Sequence, residues 1–204
     1  MHFTDSGPKS KKGKKDELKE IVLVGRSNVG KSTLFYQLFG KKVRKGKKPG
    51  TTLKPNIVQF RDLIVTDMPG FGYIKGDRRL NERIKDFFVE YIETNDRIIA
   101  AIQVLDAASF LEIVERWEKR NEIPIDIEMH EFLREFNIET FVAANKMDKV
   151  EDLDSLKKIA KKLGVSLDEI YPVSAKFGDV ESLKNALKQY FKKIKRDDLI
   201  SVLR

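Results

Sequence analysis

Gly25-Arg26-Ser27-Asn28-Val29-Gly30-Lys31-Ser32 fits the pattern G-x-x-x-x-G-K-[ST]. An apolar run with strand character, Ile21 to Val24, precedes it, and a helical pattern beginning near Lys31 follows. Glycines at both ends let the backbone curl so that successive N–H groups point at one anion. The helix behind the loop adds the positive end of its dipole. Lys31 is placed to reach the β- and γ-phosphates of a nucleotide, and the Ser32 hydroxyl to ligate Mg²⁺. Arg26, Ser27, Asn28, Val29 and Thr33 complete the expected cradle. A glycine-rich turn can match such a pattern by chance, but strand, lysine, hydroxyl and helix together point to a nucleotide.

Residues 1–17 are rich in Lys, Gly and Ser without periodicity and read as a disordered basic tail, leaving 18–204 as one domain. The pattern then predicts a strand over residues 20–24, a helix over 31–39 stopped by Gly40, and a hairpin of strands 56–60 and 63–66. Ile84, Phe87, Phe88, Tyr91 and Ile92 mark an amphipathic helix, and Ile98 to Leu105 is a continuously apolar strand of the kind covered on both faces. Residues 108–120 and 126–136 read as two helices parted at Ile123-Pro124-Ile125, with Asp126 as the second helix's N-cap. A strand over 138–144, a helix closed by Gly164, a strand over 169–173 and a last helix from Val180 to Ile194 follow. Strands alternating with helices predict an α/β domain with a mostly parallel sheet of about six strands in three α/β/α layers. Loops at the strand C-terminal ends should carry the function.

Composition narrows the chemistry. The chain has no cysteine, which excludes disulfides, thiolate metal sites and cysteine nucleophiles. No apolar run has the length of a membrane span, and the early lysines lead into no apolar signal core, so a cytoplasmic protein with no membrane partner is expected. Lys+Arg number 40 against 32 Asp+Glu, a net charge of +8. The excess is clustered: Lys9, Lys11, Lys12, Lys14 and Lys15; then Lys41, Lys42, Arg44, Lys45, Lys47, Lys48 and Lys54; then Lys188, Lys192, Lys193, Lys195 and Arg196. A single such run is ordinarily a solvated face; three favour a polyanionic partner such as RNA.

Each strand ends in a polar motif. Asp67 is the acid at the end of the third strand, suited to hold Mg²⁺ through water. Gly70, three residues on, can bring a backbone N–H to a γ-phosphate with no side chain in the way. Gly50, Thr51 and Thr52 lie in the basic loop; Thr52, with Thr51 as alternative, is the threonine expected to reach Mg²⁺ in a triphosphate state. Asn145-Lys146-Met147-Asp148 suits guanine, whose adjacent N1–H and N2–H₂ donors meet one carboxylate, that of Asp148. Asn145 would bond the purine and neighbouring loops, and the Lys146 stem would lie over the base. Ser174-Ala175-Lys176 would close over the base with backbone N–H groups.

Taken together, G-R-S-N-V-G-K-S, P-G-T-T, D-M-P-G-F-G-Y, N-K-M-D and S-A-K resemble the five signature motifs of translation-factor-related GTPases, and most closely those of the EngB type, over about residues 18–194. The resemblance implies a P-loop GTPase fold, binding of GTP and GDP with Mg²⁺, slow hydrolysis, and a large-ribosomal-subunit or rRNA partner, with a link to division and septation. It departs from bacterial members at Asn145, where Thr is common, and in residues 108–136, which read as a helical insertion. Lys31, Thr52 and Gly70 are the expected catalytic set. Phe71 stands where many GTPases carry a water-orienting Gln, so intrinsic turnover should be slow. In related GTPases an Asn at the position of Asn28 helps bind K⁺; shaping the loop is the equal alternative. For Phe71, Tyr73 and Ile74 core packing is the usual reading of such side chains, but set among Gly70, Gly72 and Gly76 a mobile switch presenting apolar surface to a partner is favoured. His2 and His130 stand alone and need no special role. A monomer is expected. The alternative function is a nucleotide-gated RNA- or protein-binding switch with negligible hydrolysis.

Overall fold

The structure, a computed structural model, describes residues 18–43, 54–71, 78–152 and 154–204. Strands and helices follow in the order β1 (Lys19–Val24), α1 (Lys31–Phe39), β2 (Asn56–Phe60), β3 (Leu63–Asp67), α2 (Arg78–Glu93), β4 (Ile98–Asp106), α3 (Phe110–Glu118), α4 (Ile125–Glu135), β5 (Glu139–Asn145), α5 (Ser155–Leu163), β6 (Ile170–Pro172) and α6 (Glu181–Lys193). They build one six-stranded sheet in the order β2-β3-β1-β4-β5-β6. β2 runs antiparallel to β3, joined through a turn at Arg61 (φ 51°) and Asp62. The other pairings are parallel.

The period-2 alternation of each strand divides the core into layers. Ile21 and Leu23 of β1, Ile102 and Val104 of β4, and Phe141 of β5 face α1 and α6, packing with Leu34, Phe35, Leu187 and Phe191. Val22 and Val24 point the other way, to Phe88 of α2 and to Met129 and Leu133 of α4. Farther along that face, Leu105, Val142 and Ala144 meet Phe110 and Val114 of α3 and Ile159 of α5. Strands buried on both faces explain why β1 and β4 read as mostly apolar runs, with Glu20 and Gln103 as the buried polar exceptions. α1 ends where Gly40 takes φ 70°, and α5 where Gly164 takes φ 68°.

Two expectations are corrected. Asp126 is not the cap of α4: Pro124 is, its fixed φ of −61° and missing N–H suiting a helix entrance, and Asp126 lies inside the first turn, turned into the interior. Phe71 is core, not presented surface. It is 4% exposed and meets Phe88 edge-on at 89°, ring centroids 4.9 Å apart. Tyr73 and Ile74 lie outside the described residues, as do the basic tail and the lysines of residues 45–48. Residues 108–136 supply α3, α4 and the only connection from β4 to β5, with α4 burying Met129 and Leu133. The sheet also has a polar anchor far from the loops: Glu20, wholly buried in β1, accepts from Thr66 Oγ1 (2.6 Å), Tyr91 OH (2.5 Å) and Asn95 Nδ2 (2.9 Å).

Candidate nucleotide site

Parallel strands deliver their C-terminal ends to one edge of the sheet. Leu23 is level with Asp67, and Asp106 with Asn145. The loop Gly25–Ser32 leaves β1 there. Gly25 takes φ 142°, and a Cβ on it would lie 2.4 Å from the Val104 carbonyl oxygen. Gly30 takes φ 102°, with a Cβ meeting Asn145 Nδ2 at 2.3 Å. Asn28, exposed at the loop's rim, holds a left-handed φ of 65°.

Lys31 opens α1 and is 8% exposed. Its Nζ donates to the carbonyls of Gly25 (2.9 Å) and Arg26 (3.1 Å). Burial pulls its pKa down to about 8, against the upward pull of Asp67 and Asp126. Next to it, Ser32 Oγ donates to Asp67 Oδ2 at 3.1 Å. Burial raises the Asp67 pKa, opposed by Lys31 and by hydrogen bonds from Ser32 and Asn56. Asp67 Oδ1 is buried with no hydrogen-bond partner. Thr33 follows, its N–H bonded to Gly30 O at 3.1 Å.

Beyond β3 the chain continues along the phosphate loop. Met68 N–H donates to Leu23 O (3.0 Å), Phe71 N–H to Gly25 O (3.3 Å), and Ser27 N–H to Phe71 O (2.5 Å). Ser27 Oγ donates to Gly70 O at 3.2 Å. A Cβ on Gly70 would sit 2.9 Å from both Lys31 Nζ and Ser27 Cα, so only glycine fits this approach.

The third side is built by Asn145, 3% exposed. Its Nδ2 donates to Val29 O in the phosphate loop (2.8 Å), and its Oδ1 accepts from Ala175 N–H (3.0 Å). Lys146 holds φ 67°, its Nζ 2.5 Å from Asp106 Oδ2. The Asp148 side chain is exposed while its N–H is fixed by Ser174 Oγ at 3.1 Å. The Ser174 N–H is taken by Asp179 O (2.8 Å). Two of the three N–H groups expected to meet a base thus bind the loop to its neighbours. Lys176 lies over the Phe177 ring, 5.1 Å from its centroid. Gly50, Thr51 and Thr52 lie outside the described residues.

One group of partners is absent from the sequence reading. Arg26 Nε forms an ion pair with Asp126 Oδ2 at 2.8 Å. Gln103 Nε2 donates to Asp126 O (2.7 Å), and Gln103 Oε1 lies 2.8 Å from His130 Nδ1. His130 is therefore a buried, partnered side chain rather than an idle one. A lone Gln inside the run Ile98–Leu105, and Asp126 and His130 four apart on α4, were the available signals.

The sheet order, the phosphate loop and the loops gathered round it define a P-loop GTPase domain. The 50S ribosome-binding GTPase family matches residues 20–146. A relative from Archaeoglobus fulgidus, a probable GTP-binding protein EngB, is 55% identical over 92% of this chain and 100% of its own. The crystal structure of a probable GTP-binding protein EngB superposes with a TM-score of 0.78 at 47% identity, covering 85% of this chain and 99% of that one. A structure of Era in complex with MgGDPNP and nucleotides 1506–1542 of 16S ribosomal RNA gives a TM-score of 0.59 at 26% identity, covering 92% of this chain and 57% of that one. The chain belongs to the EngB family of GTP-binding proteins.

Proposed function

We propose that the protein hydrolyses GTP to GDP and phosphate with Mg²⁺ and acts as a nucleotide-gated switch in assembly of the large ribosomal subunit. The observation that carries this reading is the meeting of Lys31, Ser32 and Asp67 at one corner, with Asn145 tying the base loop to the phosphate loop. The residues fit Mg²⁺. A buried carboxylate with one unpartnered oxygen stands beside a serine hydroxyl, both hard oxygen donors. Among the described residues no group of three or more His, Cys, Asp or Glu could hold a metal by itself, which suits an ion that takes most of its ligands from phosphate and water. When bound, the ion would neutralise charge on the transferring phosphoryl group. Ser32 would ligate it, Asp67 would hold it through water, and Thr52 would be the ligand specific to the triphosphate. Gly25 to Thr33 would wrap the phosphates, Lys31 would neutralise them, and Asp148 would accept the paired guanine donors. Gly50, Thr51, Lys146, Ser174, Ala175 and Lys176 would line the remainder.

The ribosomal half of the reading draws support from the family's description as 50S ribosome-binding, from the rRNA bound by Era, and from the net charge of +8. A role in division and septation belongs to the same family-level reading, as do a cytoplasmic location and a monomeric state. Slow turnover follows from Phe71, whose ring is buried against Phe88 and offers no hydrogen bond to water. That burial also favours the second reading, a nucleotide-gated binding protein with negligible hydrolysis. Multiple-turnover phosphate release from GTP, with ATP as control and with and without large subunits, separates the two. Stimulated release from GTP alone supports the first; none in any condition leaves the second. Repeating it in KCl and NaCl at equal ionic strength tests Asn28 as a K⁺ ligand, and equal rates would remove that role.

A further inference from the structure

We propose that Asp126, in the first turn of α4, is a positioning residue for the nucleotide site, holding the phosphate loop in its binding shape through Arg26. This rests on the nucleotide-binding reading above. The carboxylate is 2% exposed, with Oδ2 2.8 Å from Arg26 Nε and Oδ1 buried without a hydrogen-bond partner. A buried, incompletely satisfied carboxylate costs stability, so packing alone does not explain its presence. The Arg26 backbone is central to the site. Its carbonyl accepts from Lys31 Nζ (3.1 Å), and it bridges to Phe71 beside the Ser27 N–H. Whatever fixes Arg26 therefore fixes the carbonyl that receives the Lys31 ammonium and the backbone that leads into the Ser27 amide. Asp126 is itself fixed, its carbonyl held by Gln103 at 2.7 Å and Gln103 by His130 at 2.8 Å.

The charged groups around the carboxylate are Arg26, Lys31 and Asp106, with His130 one turn farther along α4. Burial lifts the Asp126 pKa to about 6; Arg26 and Lys31 oppose the rise and Asp106 adds to it. Above that pH the charged carboxylate grips Arg26, and below it the grip is released.

The test is titration of fluorescent GDP into full-length protein, comparing wild type, Asp126→Asn, Arg26→Met and the double variant, with melting curves for each. At pH 7.5, Asp126→Asn should weaken GDP binding by about tenfold or more, the size expected for breaking a buried charge pair. Arg26→Met should do the same, and the double variant should be no worse than either single one. Lowering the pH to about 5.5 should weaken wild type towards Asp126→Asn while moving that variant less. A merely structural carboxylate would shift the melting curve without the non-additivity or the pH step. If Asp126→Asn does not fold, the pH step decides: it should be present in wild type and lost in Arg26→Met, at a more exposed side chain, and its persistence in Arg26→Met would overturn the proposal. Wild-type affinity in the single variants, or additive losses in the double one, would overturn the proposal. Wild type that binds no GDP would overturn the nucleotide reading beneath it as well.

Discussion

Lys31 is the residue on which the site's electrostatics turn. Its pKa is about 8 in the folded protein against an ordinary 10.5, with burial the main cause. Between those values the unfolded chain holds a proton that the folded chain does not, so this group makes stability rise with pH across that window. A phosphate beside Nζ restores the charge. GDP binding at about pH 9 should therefore take up close to one proton, and at pH 7 almost none. Calorimetry in two buffers of different ionisation enthalpy measures this directly. Asp148 offers a separate check, because its side chain is exposed and carries little of the fold. Asp148→Ala should cost GDP affinity by roughly 2–3 kcal/mol, the scale of an unmatched charged hydrogen-bond pair, with the melting temperature nearly unchanged. A parallel loss of stability would show that Asp148 supports the loop instead of reading the base.

At the scale of elements, helix α1 was readable because both ends carry local signals, the loop glycine before it and Gly40 after it. β1 and β4 were readable because burial on both faces leaves a mostly apolar run, β1 leading straight into the phosphate loop and β4 ending in Asp106 at the sheet edge. Asp126 was misread because an aspartate near a helix start is most often a cap, and only the three-dimensional position of Arg26 reveals its other use. Phe71 was misread for a related reason. Glycines beside an aromatic suggest mobility, but its ring finds Phe88, seventeen positions along the chain. Nor could the sequence show that Arg196, counted with the basic run of α6, is 5% exposed and bonded to Asp198 through Nε (3.0 Å) and Nη2 (2.9 Å). Phe88→Ala should destabilise the protein by about 3–5 kcal/mol through loss of buried area and the cavity left behind. Chemical denaturation checks it, and a cost under about 1 kcal/mol would place Phe71 and α2 outside the core.

For the whole molecule, the sheet gathers the motifs on one edge and leaves basic side chains elsewhere. Lys192, Lys193 and Lys195 remain exposed on and after α6, while Lys41 and Lys42 lie over the rings of Phe60 and Tyr36. Binding to a polyanion should weaken steeply with salt, as released counterions are recaptured. Replacing Lys192, Lys193 and Lys195 together by Glu should lower large-subunit binding and its salt slope, leaving GDP affinity unchanged. Filter-binding across a KCl series distinguishes this from a docking surface elsewhere.

The most direct measurement of nucleotide gating is co-sedimentation with isolated ribosomal subunits under a non-hydrolysable GTP analogue, GDP or no nucleotide. Retention on the large subunit with the analogue alone is the expected result. Equal retention in all three states, or none in any, would contradict a GTP-gated role on that particle.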